Sequence, residues 1–138
     1  MPLSLEIVTP DGVAWKNDDV QSVTLPTTSG EIEVLAGHIP LITMLSEGAV
    51  GVVVNGHEDD IAIDRGYARV IGDVVSVLTE AAVNVENIDM RDIEEAKANA
   101  QKAIEEAKKN RISDEEMERL EAVFRFSVAQ LLAKGKKK

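Results

Sequence analysis

The amino-acid sequence predicts an α+β chain with segregated parts. An N-terminal antiparallel β-sandwich, or flattened barrel, should occupy residues 1–86, and an antiparallel αα-hairpin should occupy residues 87–138. Three observations carry this. All four prolines and eight of the nine glycines fall in the first part. Charge divides at the same place: 14 acids against Lys16, Arg65 and Arg69 give −11 before residue 87, whereas 11 acids against 12 bases give +1 after it. The apolar period also changes there, from two residues to between three and four.

The strands follow in order. Leu3, Leu5 and Ile7 alternate with Ser4 and Glu6, and Ile32 and Val34 alternate with Glu31, Glu33 and Leu35. Further β-rich runs are Val20–Leu25, Gly48–Asn55, Asp60–Asp64, Tyr67–Ile71 and Val74–Thr79. Turn residues separate them at Pro10-Asp11-Gly12, Thr27-Thr28-Ser29-Gly30, Asn55-Gly56 and Gly72-Asp73. Asn-Gly supplies the positive φ angles that a two-residue hairpin requires. Many short strands at this spacing predict a sandwich or barrel. Aromatics are only 3% of the chain, so its core must be aliphatic, with the sole tryptophan, Trp15, as core filler. Tyr67 reads equally well as core or surface.

The helices come next. Ile93, Ala96, Ala100, Ala103 and Ala107 follow 3-4 spacing, widened by Ile104, and Met117, Leu120, Phe124, Ser127 and Leu131 repeat it, flanked by Val123 and Val128. Asp89 is the expected N-cap of the first helix, and Ser113-Asp114-Glu115-Glu116 is a capping box for the second. Glu105/Lys109, Glu115/Arg119 and Glu121/Arg125 are favourable i,i+4 pairs. The alanine face of the first helix would bury little apolar area if it docked on the sandwich. A basic tail, Lys134–Lys138, closes the chain.

Composition also excludes function classes. The absence of cysteine removes disulfides, thiolate metal sites and cysteine nucleophiles. A net charge of −10 argues against a nucleic-acid partner. No basic n-region precedes an apolar run, and the longest uncharged stretch, Val34–Ser46, is broken by Gly37 and Pro40, so a soluble intracellular chain is expected. Neither phosphate-binding glycine pattern occurs, and no nucleophile elbow is present. His38 and His57 lie in separate turns and are expected to be solvated rather than ligands. Glu58-Asp59-Asp60 with Asp64 lacks the spacing of a calcium loop. No catalytic residue, resident metal or cofactor is expected, and a small β-fold enzyme is disfavoured.

One segment is more specific. Gly30-Glu31-Ile32-Glu33-Val34-Leu35-Ala36-Gly37-His38-Ile39-Pro40-Leu41-Ile42 resembles the G-E-[IL]-G-[IV]-x-P-G-H-x-P-L-[LI] segment of the epsilon subunits of F-type ATP synthases, with Glu33 and Ala36 departing from it. Leu5-Glu6-Ile7-Val8-Thr9-Pro10 resembles that family's opening strand and Ile61–Ala82 its closing strands; Ile88-Asp89 falls where its helices begin. The resemblance spans the whole chain.

The resemblance implies a non-catalytic rotor subunit of the central stalk, coupling ion flow through the c ring to ATP synthesis via the gamma subunit. Glu31 matches the position facing the c ring's polar loops, and Gly37, His38 and Pro40 match the turn near the gamma and c-ring contacts. The helical part would be regulatory. An undocked hairpin would present Met117, Leu120, Phe124 and Leu131, with Lys108, Lys109, Arg111, Arg119 and Arg125 outside them, to gamma and the catalytic alpha and beta subunits, inhibiting hydrolysis. Some family members bind ATP through I/L-D-x-x-R-A and later arginines. Here Ile88 and Asp89 match, but Asp92, Asn99 and Ala103 hold the arginine positions, so ATP binding is not expected. Membrane association would be indirect and peripheral, on the cytoplasmic face of a bacterial plasma membrane rather than a plastid thylakoid. The alternative is a free-standing protein-interaction module.

Overall fold

The computed structural model describes residues 2–136. Met1 and the last two lysines of the basic tail, Lys137 and Lys138, lie outside the described residues. Ten strands form in the order β1 (Leu3–Thr9), β2 (Gly12–Val20), β3 (Ser22–Thr27), β4 (Gly30–Leu35), β5 (Leu41–Leu45), β6 (Gly48–Val54), β7 (His57–Ile63), β8 (Gly66–Ile71), β9 (Val74–Thr79) and β10 (Ala82–Asn84). A 3-10 turn, Val85–Asn87, leads to α1 (Met90–Asn110) and α2 (Asp114–Lys136).

The strands run β10-β7-β6-β3-β5-β8-β9-β1-β2, with β4 on the free side of β3. Only Thr27 and Leu45 pair β3 with β5, so the sheet folds over there into two layers, β4-β3-β6-β7-β10 and β5-β8-β9-β1-β2. Alternate residues from both layers point into one core. Leu3, Leu5 and Ile7 of β1 meet Val23 and Leu25 of β3, Val50 and Val52 of β6, Ile61 and Ile63 of β7, and Val75 and Val77 of β9. Each such side chain contributes at most about 1.5–3 kcal/mol by burial. Trp15 is half-buried against this core, as its size predicted.

Two strands exceed the sequence expectation. β2 is a mostly exposed edge strand whose Lys16, Asn17, Asp18 and Asp19 mask any apolar alternation, and irregular register against β1 breaks it further. Such charges protect an edge from pairing with another chain. β5 is apolar on both faces and follows the Gly37–Pro40 loop, so no alternation marks it. The expected run Val20–Leu25 divides at Gln21, with Val20 closing β2 and Ser22 opening β3. β1 and β9 pair in parallel, the one departure from antiparallel pairing among the described strands. Asn55 and Gly56 adopt φ of 51° and 76°, closing the β6–β7 hairpin as their sequence predicted.

The Asp89 carboxylate caps α1, accepting the N–H groups of Arg91 and Asp92 at 3.0 and 3.4 Å. Ser113 Oγ accepts the Glu116 N–H at 3.2 Å and caps α2. Arg111, in the left-handed region, ends α1 and turns the chain. The layering of the helices corrects one expectation: α2, not α1, lies along β6 and β7, and α1 packs on α2. The docking face of α2 is Phe126 and Ala133, which join Ala62, Val85 and Ile88 in a second small core. Ala129 and Gln130 are buried on the same side. The alanine face of α1, including buried Ala100 and Ala107, is used against α2 instead.

Candidate functional site

The outer face of the β5-β8-β9-β1-β2 layer is the first candidate surface. Register aligns Met44 with Tyr67, Tyr67 with Leu78, Leu78 with Val8, and Val8 with Val13. These five residues form one apolar row crossing all five strands. Met44, Tyr67, Leu78 and Val13 are each more than half exposed. Ile42 at 73% exposure and Ile71 and Val74, paired with each other, extend the apolar area. A neighbouring row, Arg69-Ser76-Glu6-Lys16, supplies opposite charges. An apolar face of this extent marks a protein-contact surface. Sequence reasoning missed it, although a signal exists: β5 and β9 are apolar at both alternate positions, the pattern of a sheet covered on both faces.

The expected contact residues do not form one cluster. Glu31 is exposed near the β3–β4 turn, which the Thr28 N–H ties to the Met44 carbonyl at 3.2 Å. Gly37, His38 and Pro40 lie past the other end of β4; the four residue steps from Glu31 to Leu35 alone span about 13 Å. There the Gly37 N–H donates to Asp73 at 3.1 Å, beside the Ile71–Val74 hairpin. The half-buried His38 is held by its N–H to the Leu35 carbonyl, and its Nδ1 lies 2.7 Å from the Ile39 carbonyl, which makes Nδ1 the protonated nitrogen. The Gly37–Pro40 loop thus borders the apolar face, and Glu31 stands at its opposite rim.

The helical hairpin carries the remaining expected residues. Lys108, Lys109, Arg111 and Arg119 are exposed, whereas Met117, Leu120, Phe124 and Leu131 are half-buried. Phe124 takes the Lys97 ammonium of α1 at 5.9 Å from its ring centre. Arg125 does not pair with Glu121 as the i,i+4 spacing predicted. It turns to the sandwich and grips Asp64, which is 3% exposed. Its guanidinium is held above the ordinary arginine range, first by the hydrogen bond to Asp64, against the opposing effect of burial, and further by the charges of Asp64, Glu47 and Glu118. Lower on the same helix, Lys134 Nζ donates to the Val85 carbonyl at 3.2 Å.

Alternation along β7 divides the acidic run. Glu58 approaches Gly51 on one face, and Asp59 pairs with His57 on the other. At the start of α1, Asp92 and Asn99 are exposed and Ala103 is half-buried, with the Asp89 carboxylate engaged as the cap. No helix among the described residues is long and apolar enough to cross a membrane.

Comparison with known proteins agrees with this architecture. Residues 2–85 match the family model described as ATP synthase, Delta/Epsilon chain, beta-sandwich domain. An ATP synthase epsilon chain of Macrococcus caseolyticus (strain JCSC5402) is 37% identical over 131 residues, covering 93% of this chain and 96% of that one. An ATP synthase epsilon chain of Staphylococcus aureus (strain JH9) is 38% identical over 103 residues, 75% of this chain and 77% of that one. Among solved structures, a chain of the Euglena gracilis mitochondrial ATP synthase, from the OSCP/F1/c-ring assembly, superposes with a TM-score of 0.73 at 27% identity, over 96% of this chain and 81% of that one. A chain of the Tetrahymena thermophila enzyme shares the fold, at a TM-score of 0.53 and 12% identity, over 63% of this chain and 69% of that one.

Proposed function

Because the chain belongs to the ATP synthase delta/epsilon chain family, we propose that it acts as a non-catalytic rotor subunit of the central stalk. Its sandwich binds the gamma subunit and rests on the c ring, coupling ion flow to ATP synthesis. Its hairpin restrains ATP hydrolysis by reaching toward gamma and the alpha and beta subunits. The chain itself binds no nucleotide and meets the membrane only through the complex.

The observation that carries this reading is the apolar row Met44-Tyr67-Leu78-Val8-Val13. A stable partner covers roughly 800 Å² on each side, and a five-strand face offers a surface of that order. We assign this face to gamma, with the Gly37–Pro40 loop at its border. Glu31, at the opposite rim, suits basic or polar loops of the c ring. The docked hairpin rests on small side chains and one ion pair, so the undocked arrangement is energetically near.

The test is reconstitution. Met44→Glu with Leu78→Glu should abolish retrieval of gamma while the isolated chain keeps its melting temperature. Truncation after residue 87 should raise ATP hydrolysis by the assembled complex without preventing assembly. Unimpaired gamma binding by the double variant would remove the assignment of the face. Unchanged hydrolysis after truncation would make the hairpin structural.

A further inference from the structure

We infer that His57, Asp59 and Glu86 form a binding site for a divalent transition-metal ion of the zinc class. The fold brings them together from separate positions. His57 and Asp59 are two residues apart on β7, and therefore share a face of the strand. β10 pairs with β7 and places Asn84 opposite Ile61. Asn84 Oδ1 then accepts the Glu86 N–H at 2.9 Å, turning the chain so that Glu86 comes back alongside the start of β7. One imidazole nitrogen and one oxygen from each carboxylate lie within 4.8 Å of one another.

Geometry and donor type choose the ion. His57 Nε2 stands 3.4 Å from Asp59 Oδ1. Two ligands on a tetrahedral ion with bonds of about 2.1 Å stand roughly 3.4 Å apart, so this edge is already at the required length. Glu86 and His57 are exposed and can rotate to close the other two edges, leaving a fourth position for water. An imidazole nitrogen with two carboxylates suits zinc-class ions, whereas magnesium and calcium prefer oxygen donors alone. The surroundings favour a cation too. Residues 1–86 carry a net −11, and the two carboxylates repel each other at this separation. Bound metal would staple the 3-10 turn to β7, immediately before the Asp89 cap of α1. The inference does not depend on the rotor reading.

The test uses the full chain and zinc chloride alone, near neutral pH in a non-chelating buffer. Calorimetry should show one zinc ion per chain, with a matching rise in melting temperature. His57→Ala and Glu86→Gln should each weaken binding by about tenfold or more, while His38→Ala, at the other histidine, should leave it unchanged. Magnesium at large excess should not displace zinc. Circular dichroism confirms that each variant is folded; both substituted side chains are exposed, so neither should disturb the core. Unchanged zinc binding in His57→Ala, equal competition by magnesium, or no saturable binding to the wild-type chain would each overturn the site.

Discussion

Arg125 of α2 grips Asp64, just past the end of β7, through Nε to Oδ1 at 2.7 Å and a terminal nitrogen to Oδ2 at 3.0 Å. The Asp64 side chain is 4% exposed and that of Arg125 21%. The Arg65 N–H also donates to Asp64 Oδ1 at 2.9 Å, which orients the carboxylate for the two guanidinium bonds. This pair fastens the regulatory half of the chain to the sandwich where the apolar contact is made largely by alanines. A bidentate ion pair specifies angle and register, and its net contribution is set by how much solvation both groups give up.

Breaking either side should loosen the hairpin. Asp64→Asn or Arg125→Gln is expected to cost about 1–3 kcal/mol, seen as faster proteolysis of residues 88–136 while the sandwich stays protected. Replacing both together, Asp64→Leu with Arg125→Met, should recover much of the loss. A group whose pKa is raised on folding contributes stability that is present below its unfolded value and lost only as pH climbs through the folded one. For Arg125 that window lies beyond the ordinary arginine range, so proteolysis should not accelerate between neutral pH and about pH 9. Acceleration within that interval would show that another group controls docking.

Glu31 and His38 should act separately, because β4 holds them at opposite ends. Glu31→Lys and His38→Ala are each expected to change stability by no more than ~0.5 kcal/mol. Their effects on proton pumping by reconstituted vesicles should add, since distant sites without shared partners behave independently. Strong non-additivity would mean that both touch the same partner surface.

Nucleotide should leave the isolated chain unaffected. ATP at millimolar concentration is expected to give no saturable heat and no rise in melting temperature, since a ligand at 100 times its dissociation constant would add ~2.7 kcal/mol. Asp92 at the first helical turn repels a triphosphate, and Asn99 and Ala103 supply no guanidinium. A clear upward shift would assign phosphate binding to other bases of the hairpin.

Gly66 should tolerate no side chain. It pairs with Leu45 on one side and Thr79 on the other, and an added Cβ would collide with the Leu78 carbonyl. Backbone cannot move aside as a side chain can, so Gly66→Ala should cost about 1–3 kcal/mol or more. Gly51→Ala meets the flexible end of Glu58 at 3.1 Å and should cost less. Thermal unfolding of the two variants compares them directly.

What was legible in the sequence was whatever local chemistry controls. The Leu3-Leu5-Ile7 alternation, the Asn55-Gly56 hairpin, the Asp89 cap and the switch in apolar period each express a preference of a few neighbouring residues, and the structure keeps all of them. The ATP synthase resemblance was equally local, carried by the run from Gly30 to Ile42. What only the tertiary structure decided were relationships between strands and helices distant in the chain. The parallel β1–β9 pairing, the five-strand apolar row and the meeting of His57 with Glu86 all depend on register, which no single segment encodes. The same holds for Arg125. Its helix offered Glu121 at a favourable spacing, but the exposed pair there is worth a few tenths of a kcal/mol. A carboxylate shielded from water binds a guanidinium more strongly, and Asp64 is shielded only once β7 and α2 have come together.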